Sequence, residues 1–312
     1  MHEQLGCTGN RVARTPNIDR IALEGVSFCN HVTPCQICAP SRASLFSGLY
    51  PRHHGFIRNG LALDPSLESL SHAVMDAAVR THGVGKFHLQ PILAPRSYGM
   101  PESSAFWTLP ESEDWGGPFH GFQTVDFVIG ESFTSVRGGH YARWLERKHP
   151  GVAPLYLPEN SLDAAPDEME EVWRSAVPAE LHYNRWIVDQ SVAFLDRAAG
   201  DDPFFLYVSF PDPHHPFSPP APYCDRFDPR DMPLPRTVSG ELDRMPDYIR
   251  DQTWVDGPQG PINYAGSHQL QGVSRFWTVG HRAGHMATHR DVRRGESAQD
   301  HCLHPRDGEH DR

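Results

Sequence analysis

The sequence predicts an α/β protein with a mostly parallel sheet, and three observations carry that prediction. Phe204-Phe-Leu-Tyr-Val-Ser-Phe210 is a near-continuous apolar run of β-forming residues, as expected of a central parallel strand buried on both faces. Helical periodicity lies on either side of the chain's polar middle. Residues 66–80 put Leu67, Leu70, Val74 and Ala77/Ala78 in register, and residues 181–199 put Ile187/Val188, Val192 and Leu195 on one stripe. The apolar run then ends in Pro211-Asp-Pro-His-His-Pro-Phe217. Open α/β sheets collect their ligand groups in such loops, beyond the C-terminal ends of the strands.

Composition bounds the rest. With 312 residues the chain can form one large domain or two ordinary ones. Its 29 prolines and 26 glycines point to many turns and long loops, in keeping with a mean hydropathy of −0.51. A net charge of −11 argues against nucleic acid or an anionic membrane as the main partner. An anionic substrate therefore needs a local basic pocket. No apolar run is long enough to span a membrane. No secretory-signal pattern opens the chain as numbered, and localisation stays open.

In chain order, Pro16 suits a first helical turn behind Thr15 as cap, with Ile18, Ile21 and Ala22 on one face and Gly25 as a stop. Val26 to Val32 alternates like a strand leading toward Cys38. Gly55-Phe-Ile-Arg-Asn-Gly60 carries an Asn-Gly turn signal. In an extended Thr81–Gln90, Lys86 and His88 point to one side. Between 91 and 178 the clearest strand is Phe122–Ile129, and Gly138–Leu145 reads as a loop entering a helix with His140 in a structural role. That stretch is expected to form a variable lid.

The chemistry concentrates at Pro34-Cys-Gln-Ile-Cys-Ala-Pro-Ser-Arg-Ala-Ser-Leu-Phe-Ser-Gly48. Pro40 is tolerated in a first helical turn, where the amides have no intrahelical partner, so Cys38 stands near a helix N-terminus. Free amides and the positive dipole end there favour an anion, and Arg42 one turn on can hold an oxyanion in its fork of donors. Cys35 and Cys38 also spell a redox Cys-x-x-Cys, but the following Ala-Pro-Ser-Arg is better explained otherwise.

Cys38-Ala-Pro-Ser-Arg42, continued as Ala-Ser-Leu-Phe-Ser-Gly-Leu-Tyr-Pro-Arg-His-His-Gly55, resembles the signature of type I sulfatases. Leu5–Asn10 and Thr15–Gly25 resemble that family's N-terminal region, Gly85-Lys-Phe-His88 its Gly-Lys-x-His element, and Pro213–Phe217 its Pro-His-x-Pro-Phe element. The resemblance covers roughly residues 5–235. It implies an alkaline-phosphatase-like α/β/α sandwich and hydrolysis of a small-molecule or sugar sulfate ester.

In that reading Cys38 is converted by a formylglycine-generating enzyme to formylglycine, whose hydrate is the nucleophile and a metal ligand. Arg42 orients and stabilises it. Lys86 neutralises the sulfate, and His88 and His214 transfer protons or bind sulfate, with the role of His215 left open. A divalent cation, Ca²⁺ before Mg²⁺, completes the family's site. Two alternatives remain: a phosphonate or phosphate monoester hydrolase of the same superfamily, and a non-catalytic remnant.

The family's first strand, with its metal-binding aspartates, has no counterpart ahead of Met1-His-Glu-Gln, so the sandwich is expected to be incomplete at both ends. Residues 1–255 read as the N-terminal part of the catalytic domain. Residues 256–312 read as a non-native or disordered tail after a frameshift or truncation, which would leave this polypeptide impaired. Between His281 and Arg312 there are six histidines and six arginines, and only Val292 and Leu303 among Val, Ile, Leu and Phe. His281, His285 and His289 have the spacing for a helical metal site, but Gly280, Gly284 and the arginines weaken that helix.

Overall fold

The computed structural model describes residues 4–163, 171–198, 200 and 202–228, and the backbone of two short strands at 254–257 and 260–263. These fall into two compact units. The smaller described part holds helix α1 (Pro16–Glu24) and an antiparallel hairpin of two strands introduced below. Pro16 does open α1 and Gly25 does end it, but the Thr15 hydroxyl donates to Asp19 Oδ1 at 2.8 Å and accepts the Gly6 N–H at 2.9 Å instead of capping an amide of the helix. No residue of α1 is buried, and Ile21 is exposed, so the expected apolar face has nothing to cover it among the described residues.

The larger unit, residues 30–162 and 175–216, carries the sheet. Val26–Val32 is not a strand: the segment is exposed and pairs with no strand among the described residues. Alternation alone does not make a ladder when its hydrogen bonds have no partner. Helix α2 (Cys38–Ser47) follows, closed by Gly48 in the left-handed region, then the single turn α3 (Pro51–His54). The helix expected over 66–80 is shorter, α4 (Leu70–Asp76). Ser69 caps it, and its hydroxyl and His72 form a reciprocal capping box. The residues after it turn directly into strand β1 (Arg80–Gly85).

Strand β2 (Thr124–Phe127) pairs in parallel with β1 on one side, helix α5 (Gly139–Lys148) follows it, and helix α6 (Tyr183–Arg197) precedes strand β3 (Phe204–Ser209). β3 pairs in parallel with the other side of β1, with Val84 opposite Val208 and Gly85 opposite Ser209. The order is therefore β2-β1-β3. The apolar run at 204–210 is parallel as expected, and among the described strands it lies at the end of the order. Phe204, Val208 and Phe210 keep substantial exposure, and the centre belongs to the less hydrophobic Arg-Thr-His-Gly-Val-Gly of β1. β1 can be this plain because Gly83 lets the Phe87 ring fold back on it: a Cβ there would lie 2.2 Å from that ring. The hairpin of the smaller unit is β4 (Trp254–Gly257) with β5 (Gly260–Asn263). The boundary expected at 255/256 and the histidine-rich stretch at 281–289 concern residues that lie largely outside those described.

Side chains alternate across the sheet and meet helices on both faces, which makes three layers. On one face Phe87, Phe122 and Phe127 pack with Ala39, Ala43 and Phe46 of α2, joined by Phe205 and Tyr207 of β3. On the other, Val84 and Val128 meet Tyr141 and Leu145 of α5 and Tyr183, Trp186 and Ile187 of α6, joined by Leu206. The buried stripe of α6 runs through Tyr183, Trp186, Ile187, Ser191 and Phe194, while Val192 and Leu195 are outside it. Aromatic bulk, not aliphatic count, decides which face turns inward.

Candidate active site

All three strands of the sheet end at one edge, and the chain leaves that edge carrying Lys86 after β1, Glu131 beyond β2 and His214 after β3. Gly85 makes the first exit possible. Its φ of +99° and the approach of Ser209 O, 1.9 Å from where a Cβ would be, admit only glycine. Lys86 N–H then donates to Ser209 O at 3.0 Å. Lys86 is 3% exposed, and its Nζ lies 2.5 Å from Glu131 Oε2. His88 takes φ +59°, outside the extended conformation expected of it.

That turn is held from beneath. The carboxylate of Glu102, a buried residue, accepts the backbone N–H groups of His88, of Leu89 at 2.5 Å and of Gln90 at 2.9 Å. Burial pushes the Glu102 carboxyl up, against the charge of His88 and these amides.

Cys38 is the first residue of α2, as the motif predicts. Asn59 clasps it: Nδ2 donates to Cys38 Sγ at 3.3 Å, and Oδ1 accepts the free N–H of Ala39 at 3.3 Å. His54 fixes the intervening turn onto α2. Its Nδ1 accepts from Phe56 N–H at 3.1 Å, which leaves Nε2 to donate to Ser44 Oγ at 3.0 Å. Burial opposes a charge on the Cys38 thiol, yet hydrogen bonds with His214 and His88, the His88 charge and Asn59 outweigh it and bring the thiol down to about 4. The same hydrogen bond to Cys38 raises His214, against burial and with Glu131 helping. His214 Nδ1 lies 2.5 Å from His215 O and 3.6 Å from Glu131 Oε1.

One prediction follows from the thiol alone. The thiolate is present above about pH 4 and lost as pH falls through it. Iodoacetamide should therefore alkylate Cys38 of unconverted protein at pH 6 at close to its plateau rate, ahead of Cys224, whose thiol burial pushes up. Peptide mass mapping against pH checks this; a Cys38 rate still climbing tenfold per pH unit between 6 and 8 would contradict the site's electrostatics.

Arg42 does not point its whole fork at Cys38. Its Nη1 donates to Lys86 O at 2.8 Å, Tyr207 OH at 3.0 Å and Ser209 Oγ at 2.8 Å, tying α2 to the ends of β1 and β3. Its Nε and Nη2 have no protein partner among the described residues. A cleft of about 440 Å³ opens beside it, lined by Cys35, Cys38, Ser41, Arg42, Tyr207 and Ser209 among others. Cys35 and Cys38 are free thiols.

Asp212, partly buried, accepts from Tyr183 OH at 3.0 Å and Asn184 Nδ2 at 2.6 Å; burial pushes its carboxyl up to about 6. His140 is structural as expected, bonded to Phe127 N–H at 2.9 Å and Trp115 O at 2.8 Å.

The five residues singled out in the sequence thus gather at one end of the sheet, with Cys38 hydrogen-bonded to both His88 and His214 and Lys86 held by Glu131. Asn59, Glu102, Glu131 and Asp212 carry no sequence signal of comparable strength. Only the Asn-Gly turn marked Asn59, and it marked a turn. The polar groups around Cys38 Sγ are of a kind that would also suit oxygen atoms at that position. A divalent cation fits less well: among the described residues no group of three or more His, Cys, Asp or Glu side chains could hold one. No described helix is long and apolar enough to cross a membrane.

Comparison with known proteins agrees with this geometry. The sulfatase family profile matches residues 1–258. An arylsulfatase of Clostridium perfringens is 28% identical over 243 residues, covering 74% of this chain and 44% of the relative. The multifunctional alkaline phosphatase superfamily protein PehA of Trinickia caryophylli is 28% identical over 262 residues, covering 79% and 47%. Among solved structures, the phosphonate monoester hydrolase of Agrobacterium radiobacter superposes with a TM-score of 0.63 at 22% identity, over 92% of this chain and 54% of the other. The chain spans a little under half the length of the curated relatives it matches. Its fold is the alkaline-phosphatase-like α/β/α sandwich, and with the signature at Cys38 and a profile match over most of its length, the chain belongs to the sulfatase family.

Proposed function

We propose that this chain carries the nucleophile-bearing and anion-binding part of a sulfuric ester hydrolase acting on a small-molecule or sugar sulfate ester, with formylglycine made from Cys38 by a formylglycine-generating enzyme. The single observation that carries the reading is the meeting of Cys38, at a helix N-terminus, with His88 and His214 beside the buried Lys86.

The hydrated aldehyde supplies two geminal hydroxyls, one to attack sulfur and one to expel sulfate. The protein's part is orientation and proton transfer. Asn59 holds one oxygen at the 38 position, as it now holds Sγ. His214, whose pKa is raised by its hydrogen bond at the 38 position and by the Glu131 carboxylate, is placed to deliver a proton to the leaving alcohol oxygen as the sulfur–oxygen ester bond breaks. His88 faces the 38 position from β1 and takes the hydroxyl proton. Lys86 and the free side of the Arg42 fork bind the non-bridging oxygens. The family's cation, Ca²⁺ or Mg²⁺, would need ligands beyond the described residues.

A second reading, hydrolysis of phosphonate or phosphate monoesters, is supported by the likeness to PehA, since tetrahedral anions of both kinds suit one site. The two are separated by comparing turnover of 4-nitrophenyl sulfate, phenylphosphonate monoester and phosphate monoester by protein co-expressed with a formylglycine-generating enzyme. Sulfate ester turnover leading the series supports the proposal; phosphonate leading it by tenfold or more favours the second reading. Turnover of none of them by converted protein supplied with Ca²⁺ or Mg²⁺ leaves the non-catalytic alternative.

A further inference from the structure

We infer that Glu131 is a positioning residue that sets the charge of the ligand, making the site selective for singly charged tetrahedral anions over doubly charged ones. The inference rests on the reading of Cys38 and its neighbours as a site for a tetrahedral anionic ester.

Glu131 stands beyond the end of β2 in a turn that leaves its carboxylate little freedom. Its N–H donates to Thr134 Oγ1 at 2.8 Å, and its carbonyl accepts Thr134 N–H at 2.9 Å. Gly130, with φ +75°, admits no Cβ, which would lie 2.2 Å from Thr134 Oγ1. The side chain is 15% exposed and spans two cationic groups, Lys86 through Oε2 at 2.5 Å and His214 through Oε1 at 3.6 Å. These are the groups that the proposed function aims at the ester oxygens.

An incoming anion therefore meets Lys86 and His214 already sharing a carboxylate. The other charged or titratable groups that act on Glu131 are His88 beyond β1 and Asp212 and Tyr183 on the side of α6, while Cys38 and Arg42 of α2 reach its partners, His214 and the Lys86 carbonyl. Asp212 adds negative charge when ionised. A second charge on the ligand is thus repelled by Glu131 at close range in a partly desolvated place. The expected penalty is on the order of tenfold in affinity, the equivalent of one pKa unit of like-charge repulsion.

The test uses the full chain with Cys38→Ala, so that no turnover intervenes, and two probes of similar shape. Methyl sulfate is singly charged throughout, whereas methyl phosphate gains its second charge above about pH 6. Calorimetry at pH 8 should find methyl sulfate about tenfold tighter, with the gap closing by pH 5. Protonation of the protein acts on both probes, so the ratio reports chiefly the ligand's charge.

Adding Glu131→Gln should close the gap at pH 8, and Glu131→Asp should retain it. A ratio that stays flat from pH 5 to 8, or a Glu131→Gln protein with the gap unchanged, overturns the inference. The pH series needs no change at Glu131, so a variant that fails to fold does not remove the test. Binding of neither probe overturns the anion-site reading itself, and this inference with it.

Discussion

Cys38→Ala is expected to abolish ester hydrolysis, with kcat/KM falling on the order of 10³-fold or more, because it removes the nucleophile rather than a supporting contact. The fold should survive. Cys38 sits at the start of α2, and α2 is held by Ala39, Ala43 and Phe46 in the core and by Arg42 on β1 and β3. Alanine leaves Asn59 one partner, the Ala39 amide, and leaves His88 and His214 without the sulfur.

The measurement is steady-state hydrolysis of an aryl sulfate by matched converted and Cys38→Ala proteins. Mass spectrometry of the 38-containing peptide runs beside it and should show CHO in place of CH₂SH in the active sample only. Activity within tenfold of the parent in Cys38→Ala would sink the formylglycine reading. Activity that tracks the aldehyde content of different preparations would support it.

Glu102→Leu should destabilise the larger unit far more than Cys38→Ala does. Three backbone N–H groups, those of His88, Leu89 and Gln90, converge on a carboxylate inside the protein. Leucine preserves bulk but accepts nothing. Each buried donor left without an acceptor costs about 1–3 kcal/mol, so the sum is roughly 3 kcal/mol or more, against a total domain stability of about 5–15 kcal/mol. Glu102→Gln keeps one acceptor oxygen and should fall between the parent and Glu102→Leu.

The change also reaches the chemistry, because these amides fix the left-handed turn that aims His88 at Cys38. Urea unfolding should show the midpoint shift, and kcat should drop in whatever folded protein remains. A Glu102→Leu stability within about 0.5 kcal/mol of the parent would mean that the turn is held elsewhere.

The sequence by itself determined the class of fold and the family, and it pointed to Cys38 as the position proposed to react. It could do so because those features are local. A cysteine before Ala-Pro-Ser-Arg starts a helix wherever that helix packs, and Lys86-x-His88 and Pro213–Phe217 each follow a β-forming segment that ends where the loop begins. It also marked α2, α5, α6 and β3 within a few residues.

What it misjudged depended on neighbours far along the chain. Among the described residues Val26–Val32 alternates but finds no ladder, and the most hydrophobic strand lies at the end of the order while Gly83 and Gly85 suit β1 to its middle. Glu102, Glu131 and Asp212 were invisible for the same reason. A carboxylate becomes part of a site only when the fold removes its water and brings to it amides 13 residues away or a lysine 45 residues away. Local pattern names the proposed nucleophile; tertiary structure alone decides which charges surround it, because desolvation and charge pairing are properties of the packed chain.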